Sequence, residues 1–225
     1  MKRILALLMI AAGISGTAKA LPLNLMGDTL QFSDGITATP NWSTSGTWLS
    51  WEITAMEGDL WHYEYVWHTD GADLSHIIIE VTEGAPESDF WGWEYAYSGV
   101  QEGDPTFGWF GPDQGSSNLG MPGSIYGFVL NTTADTPIFG FEFTTWRSPV
   151  WGDFYAKDGK HNAGGPDSGF TYAYNVGFSL EDANDGLHIA RPNGQVQIAD
   201  GGLTVALLGA TLMGVSVLRR RLAVR

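Results

Sequence analysis

The sequence contains no cysteine. Without thiols there is no disulfide framework, no thiolate zinc site and no cysteine nucleophile, so the classes of protein that depend on these groups are excluded. Stability must therefore come from the burial of apolar side chains rather than from covalent cross-links.

Basic residues are scarce and lie mostly near the two ends of the chain. There are 11 Lys and Arg residues against 25 Asp and Glu residues, and residues 21–200 hold only four of the basic ones but all of the acidic ones. This segment therefore has a formal net charge of −21. Such a charge argues against binding nucleic acid or anionic lipid through a basic patch. Calcium or a neutral glycan is a more compatible partner for this acidic segment, although an acidic surface that is simply solvated explains the same charge.

Motifs of known catalytic chemistry are also missing. The chain has no Gly-x-Ser-x-Gly elbow, no His-Glu-x-x-His helix and no Walker loop. Two carboxylates roughly 5 to 10 Å apart would suffice for glycoside hydrolysis, and the strand glutamates could converge in this way. With so many acidic residues, such a coincidence carries little information, and the chain is not expected to be an enzyme. The glutamates concerned are Glu52, Glu64, Glu80, Glu94 and Glu142.

The N-terminal segment has the order of a secretory signal peptide. Lys2 and Arg3 precede an apolar stretch, residues 4–14, and Ala18 and Ala20 occupy the two positions that a signal peptidase inspects. Cleavage is predicted directly after Ala20. Residues 1–20 are therefore expected to direct export of the remaining chain.

The C-terminal segment combines a polar turn, an apolar run and a basic stop. Asp200-Gly201-Gly202 leads into an uncharged run, 203–218, which ends at Arg219-Arg220-Arg221. As a helix these 16 residues span about 24 Å, less than the roughly 30 Å hydrocarbon core. The arginines favour the cytoplasmic side, so the preceding chain is expected outside the inner membrane. An ordinary C-terminal transmembrane anchor has the same features.

The tail also resembles a known class of sorting signal. The sequence Asp200-Gly201-Gly202-Leu203-Thr204-Val205-Ala206-Leu207-Leu208-Gly209, followed by the apolar helix and the arginines, is similar to the PEP-CTERM family in its proline-aspartate-glycine variant. Ala199 stands where that family usually has proline. The resemblance covers residues 200–225 and implies processing by exosortase, a transpeptidase-like membrane enzyme of bacteria that make extracellular polysaccharide.

Between the two signals, the chain has the length and texture of one β domain. Residues 21–190 are assigned to this domain and residues 191–199, which contain Pro192, Asn193 and Gly194, to a linker. The segment Trp61–His68 alternates rings with other residues, which is typical of a half-buried strand. Short strands separated by turn residues favour an all-β fold, an antiparallel β-sandwich of jelly-roll type. The further predicted strands are Trp48–Ala55, Leu74–Val81, Phe90–Tyr97, Ile125–Leu130, Ile138–Thr145, Val150–Tyr155 and Thr171–Leu180.

Aromatic side chains are the main candidates for ligand binding. Trp91, Trp93, Tyr95 and Tyr97 alternate along one predicted strand and would share a face. A row of exposed rings can stack on sugars, whereas buried rings would fill the core of the sandwich. Trp109 lies in a glycine-rich stretch, which favours exposure. Trp91, Trp93 and Trp109 are therefore candidate glycan-binding residues.

One acidic turn offers ligands of the type that calcium accepts. Asp182, Asn184 and Asp185 precede Gly186 and supply hard oxygen donors. Their spacing does not complete an EF-hand loop, and the same residues favour turns through side-chain to backbone hydrogen bonds. Calcium is the one cofactor that the sequence suggests.

Taken together, the sequence predicts an exported protein of the cell surface or extracellular matrix, with an exosortase-like enzyme as its processing partner. The β domain is expected to have a structural or interaction role rather than a catalytic one. A carbohydrate-binding module is the alternative, with extracellular polysaccharide as ligand, and a polysaccharide hydrolase or lyase is a further one.

Overall fold

The computed structural model describes residues 25–70, 73–96, 104–113, 118–132, 137–158, 171–180 and 187–196. These residues form β-strands joined by turns and two short 3-10 helices, Pro40–Trp42 and Glu87–Asp89. The expected all-β fold is thus confirmed. The strands are β1 (Gly27–Phe32), β2 (Gly35–Ala38), β3 (Trp48–Ala55), β4 (Trp61–His68), β5 (His76–Glu80), β6 (Phe90–Ala96), β7 (Thr106–Phe110), β8 (Ile125–Asn131), β9 (Ile138–Thr145), β10 (Arg147–Gly152), β11 (Phe154–Lys157), β12 (Tyr172–Asn175) and β13 (Ile189–Val196).

Eleven of these strands form one large sheet in the order β6-β9-β4-β3-β1-β2-β12-β11-β5-β8-β7. Within the described strands, β1 and β2 pair in parallel and the other neighbours pair antiparallel. The strands β10 and β13 form a separate antiparallel sheet, which we call the small sheet.

Strand β4 shows how the sequence pattern builds the core. Tyr63, Tyr65 and Trp67 are fully buried, and the residues between them, Glu64 and Val66, are less buried. The Tyr63 ring stacks on Phe143 of the neighbouring β9 with centroids 5.2 Å apart, and the Tyr65 ring stacks on Phe141 at 5.0 Å. Such cross-strand ring pairs are the unit of sheet stabilisation.

The large sheet folds over, so that strands far apart in its order face each other. Phe128 of β8 lies near one end of the order, yet its ring centroid is 5.1 Å from Trp93 of β6 and 5.5 Å from Phe143 of β9. Phe107 of β7 lies 5.0 Å from Phe90 of β6. Rings from both ends of the sheet therefore share one hydrophobic core.

Two buried tyrosine hydroxyls fasten the small sheet to β4. Tyr63 Oη donates to the carbonyl oxygen of Arg147 at 2.9 Å, and Tyr65 Oη donates to that of Ala190 at 2.7 Å. Burial raises the pKa of both phenols well above the usual value, so they remain protonated donors. The small sheet supplies several residues of the site described below.

Sequence predictions and structure agree best where alternation is regular. The bounds predicted for β3, β4 and β9 match the structure. The predicted strand Val150–Tyr155 is divided between β10 and β11 at Asp153. The predicted linker, residues 191–199, begins inside β13, and this is a correction: Pro192 sits opposite Pro149 in the small sheet, where neither residue needs to donate a ladder hydrogen bond.

The two predicted sorting segments, residues 1–20 and 200–225, lie outside the described residues. Among the described residues, no helix has the length and apolar character needed to cross a membrane.

Candidate functional site

A cavity of about 590 Å³ opens where β5 ends, β8 begins and β10 passes into β11. We call it the cleft. Its charged and imidazole side chains are Glu80, Glu83, Asp153, His188 and Arg191, and its rings belong to Trp109, Tyr126 and Trp151. These residues come from separate parts of the chain, and the small sheet contributes Trp151 and Arg191.

Asp153 occupies the break between β10 and β11 and is only 6 % exposed. Its Oδ1 accepts a hydrogen bond from Asn175 Nδ2 at 2.8 Å, and its Oδ2 accepts one from the backbone N–H of Ser179 at 2.8 Å. Asn175, itself fully buried, accepts from the backbone N–H of Phe154 at 2.9 Å. A buried carboxylate needs such donors, and here they fix its position in the floor of the cleft.

Glu80, at the end of β5, forms an ion pair with the small sheet. Its Oε1 lies 3.1 Å from Arg191 Nη2, and its Oε2 accepts from the backbone N–H of Asp153 at 2.8 Å. Burial raises the pKa of the Glu80 carboxyl, Arg191 opposes this rise and the Asp153 charge adds to it. A Cβ at Gly152 would collide with the Arg191 side chain. Glycine at this position therefore leaves the space in which the Arg191 side chain crosses β10.

His188, just before β13, is a buried imidazole at the floor of the cleft. It is 2 % exposed, and its Nε2 lies 3.9 Å from Asp153 Oδ1, beyond hydrogen-bond distance. Neither ring nitrogen hydrogen-bonds to another described residue. Gly177 packs against the ring, where a Cβ would collide with it. Buried polar atoms are normally satisfied, so the unused nitrogens call for an explanation beyond packing.

The rim of the cleft is aromatic. Trp109 of β7 is 50 % exposed and packs edge-on against Tyr126 of β8, with ring centroids 5.8 Å apart. Trp151 is more buried and packs edge-on against Trp51 of the core at 6.2 Å. Trp109 is exposed, as expected from the sequence, but it lies on a strand rather than in a loop.

This arrangement of groups is suited to a polar ligand with an apolar face. The indole of Trp109 offers a stacking surface, while carboxylates and an imidazole offer hydrogen-bonding partners beside it. Sugars have this combination of an apolar ring face and hydroxyl edges.

Trp91 departs from the row of rings that the sequence predicts on one face of β6. The pairing of β6 with β9 shifts register between Trp91 and Glu94, and Gly92 there has a φ of +67°. This bulge breaks the alternation, so that Trp93 packs inward against Phe143 whereas Trp91 lies opposite Thr144. Trp91 instead contacts Trp146, which is 41 % exposed, at 5.3 Å. Trp91 and Trp93 thus lie on opposite faces, and neither is among the residues that line the cleft.

Tyr95 keeps the inward orientation of Trp93. Its ring stacks on Phe139 of β9 with centroids 6.3 Å apart, and Tyr97, the last ring of the predicted row, lies outside the described residues. The rings of β6 that follow the bulge therefore belong to the core rather than to a sugar-binding surface.

Four glutamates form a second acidic region on the outer face of the large sheet. Glu52 pairs with Glu64, Glu64 with Glu142, and Glu142 with Glu94, across the adjacent strands β3, β4, β9 and β6. We call these four residues the outer row. His62 Nε2 lies 3.7 Å from Glu142 Oε2 at one side of it. Directly opposed side chains have Cβ atoms about 4.5–5.5 Å apart, so the four carboxylates are neighbours.

The predicted calcium ligands cannot be located in the fold. Asp182, Asn184 and Asp185 lie outside the described residues. Within the part of the chain that is described, no group of three or more His, Asp or Glu side chains is arranged to hold a metal ion.

Sequence reasoning missed most of the cleft. The sequence marks Glu80 only as one of several strand glutamates, and no motif in it identifies Asp153, His188 or Arg191 as site residues. Arg191 carried one usable signal, because it is one of only four basic residues between positions 21 and 200. A cation so rare in an acidic domain is expected to pair with a specific carboxylate. Arg147, another of the four, pairs with Asp89.

Comparison of the chain with protein-family models, with curated proteins and with solved structures finds no match in any of the three.

Proposed function

We propose that this is an exported, non-catalytic protein of the cell surface or extracellular matrix, and that its β domain binds extracellular polysaccharide in the cleft. Export rests on residues 1–20 and on the tail at 200–225, with insertion into the inner membrane and processing by an exosortase-like enzyme. We further propose that the folded-over sheet is a sandwich of jelly-roll type.

The exposure of Trp109 at the rim of the cleft is the observation that supports the binding proposal most directly. Its indole is half exposed at the rim of a cavity of about 590 Å³, a size within the range of roughly 300–1,000 Å³ that small-molecule sites occupy. A large exposed ring at the mouth of a cavity that also holds buried polar groups is the combination expected of a ligand site. The neighbouring Asp153 and His188 supply partners for hydroxyl groups.

The binding proposal is tested with the exported protein and a panel of soluble polysaccharides, using affinity electrophoresis and calorimetry. We expect Trp109→Ala to weaken binding at least about tenfold, since a central aromatic anchor commonly contributes about 2 kcal/mol or more. Trp146→Ala is the matched control, because Trp146 is similarly exposed but lies away from the cleft. Equal losses in both variants, or none in either, would contradict the proposal.

The same samples distinguish binding from turnover. Release of reducing ends or of unsaturated products from a bound polysaccharide would favour the alternative, a hydrolase or lyase. We expect binding without product.

The sorting proposal is tested by mass spectrometry of the surface-exposed protein. We expect an N-terminus at Leu21 and a C-terminus within the tail near Asp200. An intact Arg225 would indicate simple anchoring, and an intact Met1 would rule out the predicted signal peptide.

A further inference from the structure

Within the cleft, negative charge exceeds positive charge. Glu80, Glu83 and Asp153 contribute three carboxylates and Arg191 one guanidinium. Arg191 is already paired with Glu80 and also donates from Nη1 to Thr82 Oγ1 at 2.9 Å. Two carboxylates therefore remain without a guanidinium partner in the cleft.

These two carboxylates differ in position. Glu83 is exposed at the rim and forms no ion pair with another described residue. Asp153 is buried in the floor, where its charge is met by the neutral donors Asn175 and Ser179. A ligand that enters the cleft thus meets a fixed negative charge below it and a free one at the rim.

We infer that the cleft selects a glycan with free amino groups, a polymer or oligomer of amino sugars, over neutral and acidic glycans. This inference rests on the proposed function and names its ligand class. An ammonium group on the sugar would pair with Glu83 and lie in the field of Asp153, and its ring would stack on Trp109. A uronate would meet like charge at each of these places.

His188 gives a second reason to expect a ligand here. It lines the cleft, is 2 % exposed, and neither ring nitrogen bonds to another described residue. A neutral imidazole has one donor nitrogen and one acceptor nitrogen, and a sugar hydroxyl can pair with either of them. Binding that brings a hydroxyl to this ring would satisfy a buried group and so favour the bound state.

The outer row is acidic as well, but the cavity found beside its described residues is smaller than the cleft. The space beside Glu64, Glu94 and Glu142 has a volume of about 100 Å³, against about 590 Å³ in the cleft. Charge without a cavity does not define a binding site for a sugar, and the cleft is the better candidate.

The test compares tetramers of one linkage by calorimetry with the exported protein, at mildly acidic pH where sugar amines are protonated. The probes are β-1,4-linked tetramers of glucosamine, of N-acetylglucosamine and of glucose, together with a uronate tetramer. We expect the glucosamine tetramer to bind most tightly and the uronate tetramer most weakly, with a preference that falls as salt is added. Binding of all four with similar affinity would overturn this inference and leave the proposed function standing. No binding of any glycan would overturn both.

Variants at Glu83 test the source of the preference. Glu83 is exposed, so Glu83→Gln should keep the fold and weaken binding of the glucosamine tetramer by up to about fivefold, with little change for the glucose tetramer. Glu83→Lys should reduce the preference further and improve binding of the uronate tetramer. Glu87→Gln, also exposed but not part of the cleft, is the matched control. A loss in Glu87→Gln equal to that in Glu83→Gln would overturn the assignment to the cleft.

A short lysine peptide distinguishes recognition of amino sugars from attraction of any cation. We expect tetralysine to bind more weakly than the glucosamine tetramer and to be insensitive to Trp109→Ala. Tetralysine binding as tightly as the glucosamine tetramer would overturn the inference in favour of a cationic peptide.

Discussion

The cleft and the outer row hold carboxylates in opposite circumstances. In the cleft, Glu80 is largely buried, and it has Arg191 and a backbone N–H as partners. In the outer row, Glu64 is exposed and lies directly between Glu52 and Glu142 across the neighbouring strands. Both regions are acidic in sequence, but Glu80 is held by a guanidinium and a backbone N–H, whereas the ion-pair partner found for the outer row among the described residues is the His62 imidazole, 3.7 Å from Glu142.

The difference shows how position determines what an acidic residue does. On an exposed sheet face, water and salt screen the repulsion between opposed charges, so the outer row reduces the free energy of unfolding only slightly and keeps this surface hydrated. Inside a cleft, the same charges need donors or cations, and the fold supplies these from the small sheet and from turns. Changing one partner at a time should therefore have large effects in the cleft and small ones in the outer row.

The largest effect is expected from Arg191→Met, which removes the cation of the cleft. Removing one partner of a buried ion pair costs roughly 3–5 kcal/mol, and partial exposure of Glu80 and Arg191 places this pair near the lower limit. We expect a loss of about 3 kcal/mol in the free energy of unfolding, measured by urea denaturation.

The double variant Arg191→Met/Glu80→Gln is the control for that change. Because it removes the unpaired carboxylate as well, it should regain part of the lost stability. If the double variant is no more stable than Arg191→Met, the ion pair does not account for the loss.

A smaller effect is expected from Tyr65→Phe, which removes a hydrogen bond between β4 and the small sheet. The hydroxyl donates to the carbonyl of Ala190 in β13, and its loss leaves a buried acceptor unsatisfied. We expect a loss of about 1–2 kcal/mol in the free energy of unfolding. Tyr174→Phe is the control, since the Tyr174 hydroxyl has no hydrogen bond to another described residue. Equal losses in both variants would mean that the hydroxyl does not hold the small sheet.

The raised pKa of Glu80 also predicts how the free energy of unfolding varies with pH. Its pKa is raised by burial in the folded state, so the folded protein holds this proton more tightly than the unfolded chain. The contribution of Glu80 to stability is therefore complete below the usual value of 4.5 and is lost as pH rises through the raised pKa. We expect Glu80→Gln to lack this loss, so that its stability relative to wild type increases with pH across that window. A difference that is constant with pH would contradict the raised pKa.

The sequence predicted the large sheet better than the cleft, and the reason is physical. Strands β3, β4 and β9 alternate without interruption, so period and bounds could be read from the residues alone. The bulge at Gly92 and the pairing of Pro192 opposite Pro149 depend on partner strands, which a local pattern does not contain. The same holds for the outer row, where four glutamates meet only because of register.

The cleft could not be predicted because its parts are distant in the chain. Glu80, Asp153 and Arg191 come from β5, from the break between β10 and β11, and from β13. The position of each is set by the folding-over of the sheet and by the small sheet. Trp109 is different, because the glycines around it in the sequence predict an exposed ring without any knowledge of the neighbouring strands.

The smallest effect is expected in the outer row. Glu64 lies opposite a carboxylate on each side, and like charges in this position destabilise a sheet. Glu64→Gln should therefore increase the free energy of unfolding by about 0.2–1 kcal/mol at low salt, and added salt should reduce the gain because it screens the repulsion. Glu57→Gln, exposed in the turn before β4, is the control and should change stability less. A destabilised Glu64→Gln would mean that the outer row is held together by an interaction other than repulsion, and the contrast with the cleft would then fail.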